Sequence, residues 1–300
     1  MEGLTDSIYR RLHYRYFGGV DRYYMPFISP TIHRVLTHRE DRELPMAKSE
    51  GFVAVPQIMT KVPDDFLWAA QQCMDRGYEE VNINLGCPSG TVVSKGKGAG
   101  MLREPEELDR FLDEVFAKTP IPVSVKTRLG MTETEEFPRL LEIFNRYPIR
   151  ELTVHPRVRK AFYSGDVHMD SFRLCMQESR NPVCYNGNIE SVADIERLQR
   201  EFPTLQAVMI GRGLIADPGM LLPEGTKVSV LEVFHEELLA AYTDAFGGAR
   251  NAMFRLKENW GHWLPRFENS EKLGKRLRKA TDLTEYKAVT AEIFHTLTLR

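Results

Sequence analysis

Short apolar runs, rich in β-branched residues, recur at residues 23–27, 53–58, 80–85, 122–128, 151–155, 182–186 and 207–210. Each is long enough for one strand and leads into a polar turn. The stretches between them, among them 64–76, 104–117, 134–146 and 191–201, space their apolar residues three and four apart, as an amphipathic helix does. Strand and helix in alternation imply a parallel sheet with helical crossovers. Seven strands over two-thirds of the chain favour a (β/α)8 barrel of the α/β class over an open doubly wound sheet. An eighth strand belongs before Met1, where the sequence instead opens on a helical pattern near Thr5. The expected barrel therefore has its first strand missing or truncated.

The pattern changes after Pro223. Residues 228–246, 250–263, 271–281 and 284–297 read as helices with no strand between them. Val230, Leu231, Val233, Phe234, Leu238, Leu239 and Tyr242 fall on one broad face of the first. The expectation is a barrel domain over 1–225 followed by a C-terminal α-helical bundle over 226–300.

Composition narrows the class. Of 300 residues, 42% are hydrophobic and 27% charged, as in a globular chain able to bury a core. No apolar run approaches the roughly 18–20 residues that span a bilayer, so no membrane partner is expected. The first residues lack the basic and apolar regions of a secretory signal. Cys73, Cys87, Cys175 and Cys184 form no CxxC pair and no zinc-type spacing, which predicts reduced thiols, a cytoplasmic protein and no metal. A net charge of −2 argues against indiscriminate nucleic-acid binding but leaves room for a local basic face. A monomer is expected.

Parallel barrels place their chemistry at the C-terminal ends of the strands. Here those ends read Gln57, then Asn84-Leu85-Gly86-Cys87-Pro88, Lys126-Thr127-Arg128, His155-Pro156-Arg157, Asn186-Gly187-Asn188 and Gly211-Arg212-Gly213. So uniform a polarity exceeds what packing requires. The glycines of the last two ends suit backbone amides approaching a phosphate, which such barrels bind beyond their final strands. Lys126, in an otherwise apolar strand, faces a desolvation cost unless it meets an anion or polar ligand. It could stabilise negative charge on the pyrimidine edge of a reduced flavin, or form a Schiff base. Cys87 precedes a loop of glycines and small polar residues, expected to be mobile. By position alone its thiol could serve as nucleophile, ligand or acid. An unperturbed thiol, which titrates near pH ~8.5, is mostly protonated at neutral pH and so a competent acid.

The Gly-Cys-Pro loop, the segment ending Gly98-Ala99-Gly100-Met101-Leu102, and the strand ends Val125-Lys126-Thr127-Arg128, Val154-His155, Asn186-Gly187-Asn188 and Gly211-Arg212-Gly213 occur in order. The chain thereby resembles the tRNA-dihydrouridine synthases along its whole length. The resemblance implies an FMN-binding barrel joined to a helical RNA-binding domain. It implies FMN with its ring near Gln57 and Lys126, lined by His155, and its phosphate near Asn186, Gly187, Asn188, Gly211 and Arg212. NADPH would reduce the flavin, the flavin would give a hydride to C6 of a uracil in tRNA, and Cys87 would give a proton to C5. Asn84 and Arg128 would hold the flipped uridine. Arg157, Lys275 and Arg276 would contact the RNA, with Arg10, Arg11, Arg15, Arg159 and Lys160 extending that surface.

Two departures stand out. Met1-Glu2-Gly3 matches only the tail of the family's first-strand motif, and an internal methionine taken as the start is preferred to a barrel with two unpaired edges. Pro156 stands where many relatives carry glycine, removing an N–H donor. The competing expectations are an FMN barrel acting on a free pyrimidine or other small molecule, a Schiff-base aldolase using Lys126, and a non-catalytic RNA-binding relative.

Overall fold

The computed structural model describes residues 1 and 3–300; Glu2, within the Met1-Glu2-Gly3 motif, lies outside them. In chain order the elements are α1 (Ser7–Tyr16), β1 (Tyr23–Ile28), α2 (His38–Glu43), β2 (Ala54–Ile58), α3 (Pro63–Asp75), β3 (Val81–Leu85), α4 (Gly90–Val93), α5 (Pro105–Lys118), β4 (Val123–Arg128) and α6 (Phe137–Phe144). There follow β5 (Leu152–His155), α7 (Met169–Glu178), β6 (Val183–Asn186), α8 (Val192–Glu201), β7 (Ala207–Met209), α9 (Arg212–Ala216), α10 (Val228–Phe246), α11 (Ala249–Trp263), α12 (Glu271–Lys279) and α13 (Leu283–Thr296).

The chain forms two compact units. One comprises Arg22–Ile189 and Ala193–Ile210; the other comprises Met1–Asp21, Glu190–Val192 and Gly211–Arg300. The first unit holds, among the described residues, a seven-stranded all-parallel sheet in the order β1-β2-β3-β4-β5-β6-β7. All seven strands coincide with the apolar runs of the sequence. This is the α/β barrel architecture with seven of its strands in the described chain, and the C-terminal region is helical, as the hydrophobic pattern predicts.

In β3 the residues alternate apolar and polar, Val81-Asn82-Ile83-Asn84-Leu85, yet all five are buried. Successive side chains point to opposite faces of a strand, so both faces are covered and one of them is polar. Register carries that polar face across the sheet. Gln57 pairs with Asn82 and Asn82 with Ser124, while Asn84 pairs with Lys126 and Lys126 with Thr153. At the opposite, N-terminal ends, Arg22 bridges the buried carboxylates of Glu80 and Glu151, and Tyr24 donates to Glu151 at 2.9 Å. That network ties the N-terminal ends of β1, β3 and β5 together through ion pairs.

The second unit is built on α10, whose Leu231, Phe234, Leu238, Leu239 and Tyr242 are buried, while Val233 is exposed. Helix α1 packs with this core, starting at Asp6, whose carboxylate accepts the Tyr9 N–H at 3.0 Å. His13 Nε2 donates to the Pro218 carbonyl at 3.0 Å. Trp260 Nε1 donates to the Tyr286 hydroxyl at 3.1 Å, which lies 2.7 Å from His235 Nε2. The first helix and residues 211–225 group with the helices that end the chain.

Three local expectations are corrected. The loop after Cys87 carries regular structure: it forms α4 and a 3-10 turn, Gly98–Arg103, with residues 98–102 buried. The helix expected over 134–146 opens on a 3-10 turn, Thr134–Glu136, because the Glu136 carboxylate draws the N–H groups of Met131, Thr132 and Glu133 back onto itself. Arg10 is no surface cation: it is 1% exposed and donates to the Thr5 carbonyl, since its face of α1 turns into the core.

Candidate active site

Polar side chains of β2, β3 and β4 are connected in a hydrogen-bonded chain that runs from within the strands to the C-terminal end of β3. Asn82 Nδ2 donates to Ser124 Oγ at 2.9 Å, Gln57 Nε2 to Asn82 Oδ1 at 2.9 Å, and Asn84 Nδ2 to Gln57 Oε1 at 2.7 Å. Buried polar groups in a fully paired network hold one orientation. Asn84 spends its oxygen on the chain turn above it, accepting the N–H of Gly86 at 3.1 Å and of Cys87 at 2.9 Å. Arg128 Nε donates to the Gly86 carbonyl at 2.9 Å, and the Ala99 N–H donates to the Cys87 carbonyl at 3.1 Å. The thiol therefore rises from a fixed backbone.

Gly98 makes this packing possible. At φ +56° it adopts a conformation that L side chains rarely take, and an added Cβ would lie 2.9 Å from Val92 Cγ1 and 3.0 Å from Cys87 Cβ. Cys87 is half-buried, whereas the other three cysteines are buried. Burial pushes the thiols of Cys73 and Cys175 up to about 12 and shifts that of Cys184 in the same direction, so all three stay protonated at neutral pH.

Beside the thiol turn stands a row of cations. Lys126 is pulled down to about 8, first by burial and then by the charge of Arg128. Among the described residues its ammonium has no hydrogen bond and no carboxylate partner. Arg128 is 1% exposed and pulled down to about 10, chiefly by burial, with Arg157 adding repulsion. Its Nη1 donates to the Val158 carbonyl at 3.2 Å, and the guanidinium lies 5.4 Å from the centre of the Tyr163 ring. Arg157, buried as well, donates through Nε to the Gly165 carbonyl at 3.1 Å, and its Nη1 lies 2.9 Å from His155 Nε2. A guanidinium only donates, so His155 Nε2 accepts and the ring proton sits on Nδ1. Arg157 is thus a buried side chain held against His155 and the Gly165 carbonyl.

The next strand end is also tightly built. Asn186 Nδ2 donates to the Met209 carbonyl at 2.7 Å, and Asn188 takes φ +44°, a left-handed conformation that asparagine tolerates. A Cβ on Gly187 would lie 3.1 Å from Val167 Cγ1 and 3.5 Å from His155 Cδ2. The structure therefore gathers Gln57, Asn84, Cys87, Lys126, Arg128, His155 and Arg157, with 186–188 on the strand beyond. Gly211 and Arg212 open α9 in the helical unit, and Lys275 and Arg276 lie exposed on α12 there.

One site residue escaped the sequence. Tyr163, half-exposed, stacks on His155 with ring centres 6.4 Å apart and covers Arg128. It lies in a loop with no periodicity, so only an aromatic among arginines could have marked it. Among the described residues no cluster of three or more His, Cys, Asp or Glu could hold a metal.

The dihydrouridine synthase (Dus) family model matches residues 1–294. The tRNA-dihydrouridine synthase B of Pasteurella multocida (strain Pm70) is 29% identical over 220 residues, covering 73% of this chain but 65% of that protein, just under two-thirds of its length. That of Shewanella oneidensis is 28% identical over 269 residues, covering 86% and 82%. A probable tRNA-dihydrouridine synthase of Rhizobium leguminosarum bv. phaseoli is 26% identical over 308 residues, covering 99% and 93%. In fold the chain is similar to a variant of NCR from Zymomonas mobilis, with a TM-score of 0.50 and 14% identity over 78% of this chain and 86% of that one. Parallel strands that end in polar and cationic residues at their C-terminal side define an enzyme of the α/β barrel class. Within that class, the match along nearly its whole length settles the lineage: the chain belongs to the dihydrouridine synthase family.

Proposed function

We propose that this protein is a tRNA-dihydrouridine synthase that reduces the C5=C6 bond of specific uridines, with FMN as its cofactor and NADPH as reductant. The observation that carries the reading is the row Lys126, Arg128 and Arg157, three close cations beside a half-buried thiol on a fixed turn. Cations that repel one another are held together to advantage where electron-rich ligands are expected between them. The unpartnered ammonium of Lys126 fits the pyrimidine edge of a flavin, and Gln57, His155, Asn186, Gly187 and Asn188 of the same unit would line the FMN site. When bound, the reduced flavin supplies a hydride for C6 of the uracil.

The protein's own groups do the rest. Adding hydride at C6 builds negative charge on the C4 carbonyl oxygen, which a guanidinium donor such as Arg128 stabilises. Cys87 Sγ–H gives its proton to C5, saturating the bond, and the resulting thiolate recovers a proton from solvent. Asn84 keeps one amide hydrogen for the base while its oxygen holds the Cys87 turn. A uridine reaches this site only after leaving its stack. The exposed basic residues of α12, Lys275 and Arg276 among them, would hold the surrounding tRNA, which assigns catalysis to 1–225 and RNA binding to 226–300. No helix among the described residues is long and apolar enough to cross a membrane. The reading places the enzyme in the cytoplasm, acting as a monomer.

The test is Cys87→Ala. It is expected to keep FMN and its reduction by NADPH yet lose dihydrouridine formation on unmodified tRNA, measured by nucleoside analysis. Full product formation by that variant overturns the assignment, and activity on free uridine with none on tRNA overturns the substrate.

A further inference from the structure

We propose that Arg159 is a positioning residue for Cys87: it clamps the turn that carries the thiol to the loop that carries Tyr163. The proposal rests on the reading of Cys87 as the proton donor. Around Cys87 each neighbouring backbone group has a partner. Asn84 accepts the N–H of Gly86 and of Cys87, Arg128 donates to the Gly86 carbonyl, and Ala99 donates to the Cys87 carbonyl. The Pro88 carbonyl comes next, and Arg159 Nε donates to it at 3.1 Å. Proline offers no N–H, so this carbonyl is the handle on the downstream side of the thiol. Beyond it the chain passes through half-buried Ser89 to the exposed Gly90 and Thr91 that open α4.

Arg159 can act as a clamp because its own backbone is fixed. Its N–H donates to the Gly130 carbonyl at 2.8 Å, and that of Lys160 to the Met131 carbonyl at 3.0 Å. The segment beneath them is held by Glu136, whose carboxylate accepts the N–H of Met131 at 2.7 Å and of Thr132 and Glu133 at 2.8 Å each. The same guanidinium lies 4.9 Å from the centre of the Phe162 ring. Phe162 has φ +49°, a conformation that a bulky residue adopts only when its surroundings impose it. That turn delivers Tyr163 onto His155 and Arg128. One side chain thus links the thiol turn to the aromatic cover of the cation row.

The competing role for Arg159 is a surface cation bound to an RNA phosphate, and the two roles separate experimentally. For Arg159→Ala, the clamp predicts faster alkylation of Cys87 by iodoacetamide. It also predicts single-turnover dihydrouridine formation slowed about ten- to a hundredfold, the scale of a misplaced reacting group. Rates are compared at equal flavin content, and tRNA Kd stays within about twofold. Arg159→Lys keeps the charge but lacks the flat guanidinium, so it shows the same two defects and also serves if the alanine variant folds poorly. Unchanged alkylation and turnover in both variants overturn the proposal. So does a loss confined to tRNA Kd, with a shallower salt dependence that Arg159→Lys restores. If the wild-type protein forms no dihydrouridine, the proposed function fails, and the alkylation rates still decide whether Arg159 holds the thiol.

Discussion

Lys126 is held on strand β4 between apolar burial and the charge of Arg128, and both lower its pKa, to about 8. An unfolded chain would release the same proton near the ordinary lysine value of 10.5. The unfolded state therefore binds more protons between those values, and the ligand-free protein gains stability as pH rises through that window. Flavin affinity runs the opposite way. The electron-rich acceptors on the pyrimidine edge of the ring are met best by the ammonium, which is lost as pH rises through about 8. Absorbance titrations of FMN from about pH 6.5 to 9.5 are expected to show affinity falling above pH 8, with Lys126→Met weaker and flat over that range. Equal wild-type affinity at both ends would remove Lys126 from the cofactor site. That a lysine in this strand needs a polar or anionic partner was legible from the sequence, because a cation flanked by Val123, Val125 and Thr127 has few ways to be satisfied. What surrounds it was less so. Tyr163 and Arg159 act through a loop whose path depends on the backbone of 130–133, a meeting of distant segments that no local pattern encodes.

At the level of elements, every strand was legible because buried parallel strands need apolar, β-branched runs, and their polar ends stand out against them. Helices over 228–246 and 271–281 were legible from periodicity for the same reason. Misreadings came where a side chain overrode the pattern, as Glu136 does in gathering three N–H groups, or where a partner lay far along the chain. Helix α1 is an example, since its packing against α10 buries Arg10. Helix α12 shows what an amphipathic pattern can establish. Leu273, Gly274 and Leu277 are buried, while Lys272, Lys275, Arg276, Arg278 and Lys279 are exposed, and Arg276 meets Glu292 at 2.7 Å. An exposed pair of that kind adds little stability, so the face can be altered without unfolding the helix. The double variant Lys275→Glu, Arg276→Glu is expected to weaken tRNA binding and to reduce the slope of log K against log salt by about one for each phosphate left unneutralised. Its thermal midpoint should stay close to wild type. An unchanged affinity and slope would place the RNA elsewhere.

At the scale of the whole molecule, acid is expected to destabilise the helical unit, where His13 and His235 are buried and neutral. Burial lowers His13 to about 4 and His235 to about 3, against 6.5 for an unperturbed histidine. The Tyr286 hydroxyl accepts from Trp260 and so turns its own proton toward His235 Nε2; a protonated imidazole would set donor against donor. Because the folded values lie below the unfolded one, the unfolded chain takes up the protons first. The histidine contribution is complete above about pH 6.5 and is lost as pH falls, at ~3 kcal/mol for each histidine by pH 4. Denaturant midpoints followed by tryptophan fluorescence, to which Trp260 and Trp263 of this unit contribute, should fall steeply over that interval. His235→Gln keeps an acceptor for Tyr286 but cannot titrate, so its stability should decline with one proton less of slope than wild type. The same slope in both proteins would mean that His235 does not couple protonation to unfolding, whatever the absolute stability of the variant.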